Sequence, residues 1–160
     1  MIFVPGGTGI NALMEDPVVL DFLRVRAESA RYVTSVCTGS LLLAAAGLLK
    51  GINATTHWMS LGLLSDLGAH AQKSRVVTDG KFITGGGVTS GIDFALAVAA
   101  KVRGEEEARA IQLMIEYDPA PPFTDGHPDS AAPAVLERVM RERAPAMEKR
   151  REIVNRIAGK

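Results

Sequence analysis

Cys37 is the only cysteine in 160 residues, so no internal disulfide can form and any thiol chemistry belongs to this one side chain. It stands in the run Ser35-Val36-Cys37-Thr38-Gly39-Ser40, where a β-branched stretch gives way to a Leu/Ala-rich one. A nucleophile at such a strand-to-helix switch is pushed out on a sharp turn. The sulfur then lies beside the first free N–H groups of the following helix, whose dipole favours the thiolate, the reactive form. Gly39 adds to this reading, because a tight elbow needs a residue without a side chain where the chains cross. A buried structural cysteine would look similar in isolation.

Two glycine-rich turns could serve such a nucleophile. Pro5-Gly6-Gly7-Thr8-Gly9 closes an apolar run. Its glycines let backbone N–H groups of Gly6 and Gly7 point at an anion or a developing negative charge. The spacing is not the dinucleotide-binding fingerprint G-x-G-x-x-G. Gly85-Gly86-Gly87 precedes Thr89-Ser90 and reads equally as a hairpin exit and a helix cap. His57, in Ala54-Thr55-Thr56-His57-Trp58, falls at the end of a strand-like run. It reads as a base or thiol-tuning group, or as a packed wall residue beside Trp58. His70 and His127 have no partners in sequence, and three dispersed histidines with one cysteine do not spell a metal site.

The elements that must position these residues follow from periodicity and punctuation. Strands are expected at 2–4, 32–36 and 53–56, and a hairpin joins 76–78 to 82–84 through Asp79-Gly80. Helices are expected at 11–28, with Asp16-Pro17 as a start signal, and at 38–49, 60–67, 90–102, 105–117 and 134–157, the last dented at Pro145. The first of these is assigned an apolar face of Leu13, Val18, Leu20, Phe22, Leu23 and Val25. Residues 119–133 hold five of the eight prolines and read as extended and turn-rich. Alternating strands and helices predict an α/β three-layer sandwich, a mostly parallel sheet with helices on both faces. Ligands of such sheets bind beyond the carboxyl ends of the strands. The turns after Val4 and after Val36 are therefore the candidate site.

At 47% hydrophobic and 22% charged, the chain is that of a soluble globular domain and not a disordered or fibrous one. The apolar run Leu41–Leu49 is far short of the ~18 residues a membrane span needs. Met1 leads directly into Ile2-Phe3-Val4, so no leader is expected and a cytoplasmic setting is the default. The net charge is zero, with 18 basic and 18 acidic residues. Residues 137–160 carry eight basic and four acidic side chains, a local excess of four that reads as a solvated helix and not a nucleic-acid surface.

Val4-Pro5-Gly6-Gly7, the run around Cys37, Ala54-Thr55-Thr56-His57-Trp58 and Gly85-Gly86-Gly87-Val88-Thr89-Ser90-Gly91-Ile92-Asp93-Phe94-Ala95 resemble the ThiJ/PfpI superfamily, which is related to class I glutamine amidotransferases. The resemblance runs over nearly the whole chain. The Thr-Thr-His-Trp string and Glu116-Tyr117-Asp118-Pro119-Ala120-Pro121-Pro122-Phe123 resemble its isocyanide-hydrating branch. The intracellular proteases of the superfamily place histidine directly after the cysteine. Thr38 stands there in this chain, which argues against peptidase activity.

The resemblance implies a flavodoxin-like, glutamine amidotransferase-like fold and a homodimer. It implies hydration of an organic isocyanide to an N-substituted formamide through a thioimidate on Cys37, with Thr38 and the backbone of Gly6 and Gly7 stabilising developing charge. The substrate is a small molecule. No cofactor, metal, nucleic acid or membrane is implied. Family members carry a strand, a helix and further sheet before the Pro-Gly-Gly turn, so the single domain 1–160 is expected to lack a unit of ~30 residues or more. An acidic partner of the cysteine is expected to go with it, leaving an exposed apolar sheet edge and slower proton transfer, a step typically worth ~10²–10⁴-fold. Two other readings stay open at this point: a glyoxalase-type enzyme on small dicarbonyls, and a ligand-binding or sensor domain.

Overall fold

A computed structural model describes all residues, 1–160. Two neighbouring strands of a parallel set of three carry the two candidate turns. β1 (Ile2–Val4) pairs with β2 (Val33–Val36), and β2 pairs with β6 (Phe82–Gly85), both in parallel. β5 (Val76–Asp79) runs antiparallel to β6, giving the order β1-β2-β6-β5. The hairpin expected at Asp79-Gly80 is present, with Gly80 in the left-handed region. The sheet is thus mixed, with one antiparallel edge on a parallel frame.

Helices cover both faces. α3 (Gly39–Ala45) packs on β1 and β2, with α1 (Ile10–Leu13) and α2 (Pro17–Ser29) behind it. α5 (Ser90–Arg103) packs on β2, β5 and β6, and α6 (Glu105–Met114) lies against α5. All seven residues of α3 are buried, as a helix that is apolar around its whole circumference must be. Leu41, Leu43 and Leu49 join Val33, Leu63, Leu64 and Val154 at the centre of the core. Cations close the ends of the covering helices: Arg24 Nε donates to the carbonyl of Ala46 at 3.0 Å, and Lys81 Nζ to that of Ala27 at 2.6 Å.

Several sequence expectations need correction. The helix expected at 11–28 is two, broken where the Asp16 side chain accepts the Val18 and Val19 N–H groups and Pro17 starts a new first turn. The break turns α2, so Leu23 and Ala27 are buried while Val18, Phe22 and Val25 lie exposed as a stripe; Phe22 is 57% accessible. The helix expected at 38–49 stops at Ala45, and the one at 105–117 stops at Met114. The strand expected at 53–56 is only β3 (Asn53–Ala54). It leaves the main sheet to pair with β4 (His70–Ala71), an element too short to show a period of two. The Asp79 carboxylate holds that small sheet by accepting from Asn53 N and Nδ2, both at 2.9 Å.

Residues 119–132 form turns without regular elements, as their prolines require. α7 (Pro133–Ala158) then runs through Pro145 as one helix and docks on α4 (Leu61–Asp66) by burying Ile153 and Val154. Arg156 of this helix pairs bidentately with Glu15, and Lys160, just past its end, pairs with Asp66. No helix is long and apolar enough to cross a membrane.

Candidate functional site

The chain turns at Cys37 with φ +58°, in the left-handed region that a side chain rarely adopts. Strain of that kind persists only when the surroundings over-determine it, and here they do. The Cys37 N–H donates to the carbonyls of Gly85 and Gly86, at 3.0 and 2.8 Å. The Cys37 carbonyl accepts from Thr56 Oγ1 at 2.8 Å. Beneath the turn lies a buried polar chain: Ser35 Oγ meets Ser40 Oγ at 2.9 Å, Ser40 Oγ donates to Thr55 O at 2.6 Å, and Thr55 N donates to Thr84 Oγ1 at 2.9 Å. No buried side-chain polar atom lacks a partner, so the network rigidifies the elbow without leaving an unpaired group.

The structure brings the first glycine turn against this elbow. A Cβ on Gly6 would lie 2.7 Å from Cys37 Cβ and 2.8 Å from Thr38 N. Gly39 passes under β1 in the same way, and a Cβ there would meet Val4 O at 2.2 Å. The side chain of Thr38 fastens the turn, accepting from Gly7 N at 3.0 Å. That contact amends the expectation for Gly7, whose N–H is already engaged by Thr38. The Thr38 N–H, by contrast, donates to no backbone carbonyl. The second glycine run has a part that sequence reasoning left out: two of its carbonyls hold the Cys37 backbone.

Cys37 is half-buried at the edge of a cavity of about 400 Å³ lined by Phe3, Pro5, Gly6, Gly7, Val36, Val88, Gly91, Phe94 and Ala95. No charged side chain reaches it. Phe3 points from β1 toward α5, its ring 5.8 Å from that of Phe94, and stays 53% accessible because β1 is the edge strand. The aromatic and aliphatic walls were not singled out in the sequence; alternation along Ile2-Phe3-Val4, which buries Val4 on the other face, is the signal that marks Phe3.

Trp58 lies elsewhere. It lines a separate polar cavity of about 180 Å³ with Thr55, Thr56, Arg75, Gly87 and His127. His57 packs between Trp58 and Gly87, and its Nδ1 accepts the Met59 N–H at 3.4 Å. Neither residue lines the cavity at Cys37. Burial above all, and then the positive charges of Arg150 and Arg143, hold the His57 imidazole below the usual histidine range. A histidine whose native pKa is depressed binds its proton more readily in the unfolded chain. Its contribution to stability is therefore present above the unfolded value of ~6.5 and is lost as the pH falls through the lower native one. Melting curves at about pH 7.5 and about pH 5.5 check this. The wild-type midpoint is expected to fall by more than that of His57→Gln, and parallel losses would place the acid sensitivity elsewhere. No group of three or more His, Cys, Asp or Glu side chains gathers as a metal-binding cluster.

The family model described as DJ-1/PfpI family matches residues 1–101. Isonitrile hydratase of Pseudomonas putida is 54% identical over all 160 residues, which span 70% of its length. A crystal structure of a ThiJ/PfpI family protein from Pseudomonas syringae superimposes with a TM-score of 0.91 at 44% identity, covering 95% of this chain and 63% of that one. Protein DJ-1alpha of Drosophila melanogaster is 31% identical over 112 residues, 69% of this chain and 52% of its own. The chain thus spans between about half and 70% of the length of these relatives.

Proposed function

Because the chain belongs to the DJ-1/PfpI family, with its α/β flavodoxin-like fold, we propose that it hydrates organic isocyanides to N-substituted formamides with Cys37 as nucleophile. The observation that carries this reading is the 54% identity to isonitrile hydratase along the whole chain. The site's chemistry supports it. An isocyanide is a slim, uncharged rod, R–N≡C, and the cavity beside Cys37 is apolar and uncharged.

The balance needs one water and no electron transfer. The Cys37 thiolate forms a bond to the terminal carbon, which takes a proton from solvent and becomes the thioimidate Cys37–S–CH=N–R. Water then adds to that carbon, the C–S bond breaks, and the formamide R–NH–CHO leaves with the thiol restored. The Thr38 N–H, free of a backbone partner and adjacent to the sulfur-bearing residue, is the donor placed to steady developing charge. Gly6 keeps the approach open, and Gly7 holds Thr38 in place. His57 and Trp58 support the loop behind the elbow and do not touch substrate in this reading. A homodimer in a cytoplasmic setting completes it: the exposed stripe Val18, Phe22 and Val25 is apolar surface that self-pairing would bury.

The test sets two substrates side by side. Cyclohexyl isocyanide is expected to yield N-cyclohexylformamide, and methylglyoxal to yield no lactate. Lactate without formamide would overturn the hydratase reading in favour of a glyoxalase-type enzyme, and neither product would favour a sensor domain.

A further inference from the structure

Arg150, about two-thirds of the way along α7, is a half-buried cation with no carboxylate partner. Its Nε donates to Asn11 Oδ1 at 2.9 Å, and one terminal nitrogen reaches Ser60 Oγ at 3.4 Å and Met147 Sδ at 3.7 Å. Every one of these acceptors is neutral. Two other basic residues of the helix have acids, Arg138 with Glu142 and Arg156 with Glu15, and Arg141, Arg143, Lys149 and Arg151, which have none, are exposed to water. Withdrawing a guanidinium from water without an anion is costly, so its placement calls for a reason.

The partners supply one. Asn11 stands in α1, directly after the glycine turn whose Gly6 abuts Cys37 and whose Gly7 is tied to Thr38. Ser60 ends the short turn Trp58–Ser60 that follows Thr56, the residue whose hydroxyl holds the Cys37 carbonyl. Arg150 therefore bridges the two segments that flank the cysteine. We propose that Arg150 is a positioning residue for Cys37: its unpaired guanidinium clamps both flanking segments and supplies the positive field in which the thiolate forms. A thiolate at Cys37 would favour the charged guanidinium of Arg150, opposing the downward push that burial exerts on it. Few other charges compete. β1, β2, β6, α3 and the two glycine turns carry none. His57 is held toward its neutral form, and Arg143 acts with Arg150 upon it. On α5, Asp93 is engaged by Arg75 and Tyr117.

The inference rests on Cys37 being the nucleophile of the proposed reaction. Its test reads thiol reactivity without turnover, so a failure of the hydratase reading leaves the test intact. Alkylation of Cys37 by iodoacetamide is followed from acid to neutral pH in wild type, Arg150→Met and Arg150→Lys. Arg150→Met is expected to alkylate about tenfold more slowly near pH 6, the size of effect that the loss of one opposite charge has on an ionisable group, with the profile displaced to higher pH. Arg150→Lys is expected to recover most of the rate. Unchanged alkylation in a folded Arg150→Met protein would overturn the proposal, and so would equal losses in both variants. If Arg150→Met does not fold, Asn11→Ala, which frees the guanidinium from α1, carries the test: slower alkylation supports the clamp and an unchanged profile overturns it.

Discussion

Gly39→Ala is expected to lower the melting midpoint by about 10 °C, a loss of about 3 kcal/mol or more for a domain of this size. The reason is a single crossing. Any Cβ at residue 39 would lie 2.2 Å from Val4 O and 2.9 Å from Pro5 O. Both are backbone atoms of β1 and its turn, and Val4 is in register with Ser35 of β2. Relief requires β1 to leave its partner or α3 to lift from the sheet, and α3 is buried along its whole length. With ~5–15 kcal/mol of net stability in a typical domain, such a loss is a large share of the whole. The displaced turn also carries Gly6 away from Cys37, so activity should fall with stability. Gly62→Ala in α4 is the control, because a Cβ there meets nothing within 4 Å. It is expected to be neutral or to stabilise by up to about 1 kcal/mol through helix propensity. Thermal melts of the two variants decide it; similar midpoints would mean that the crossing is not tight.

The elbow was legible in sequence because local rules converge there. A β-branched run, a lone cysteine and a glycine two residues on specify a strand, a sharp turn and a close crossing, and each is found in place. The Asp79-Gly80 hairpin was legible for a similar reason, since few dipeptides suit that turn. Apolar periodicity was a poorer guide to α2. Val18, Phe22 and Val25 fit a helical face as well as Leu23 and Ala27 do, and only the new start at Asp16-Pro17 decides which set turns inward.

What stayed hidden depends on contacts far apart in the chain. Arg150 looks like one of eight basic residues in a charged tail, and its meeting with Asn11 spans 139 positions. The carbonyls of Gly85 and Gly86 that hold Cys37 come from a run that reads locally as a hairpin exit. Residues 53–56 read as a strand, yet only Asn53–Ala54 forms one, and it pairs with His70–Ala71 outside the four-stranded sheet. Such partners have no local signature, because pairing of two-residue strands is set by the packing of the elements between them.

Cys37→Ala is expected to reduce formamide formation by on the order of 10⁴-fold or more, to the uncatalysed background, because a covalent nucleophile acts in a step that no other group can replace. No second thiol exists in the chain to substitute for it. The fold should survive, since Cys37 is half-buried and its backbone contacts to Gly85, Gly86 and Thr56 remain available to alanine, although the left-handed φ is retained. Retained turnover in Cys37→Ala would remove the nucleophile from the account. The most direct measurement is the mass of the Cys37 peptide from wild-type protein quenched in acid during turnover of cyclohexyl isocyanide. A thioimidate predicts a gain equal to the whole substrate mass, because addition expels no leaving group. An unmodified peptide at every quench time, while N-cyclohexylformamide accumulates, would contradict covalent catalysis by Cys37.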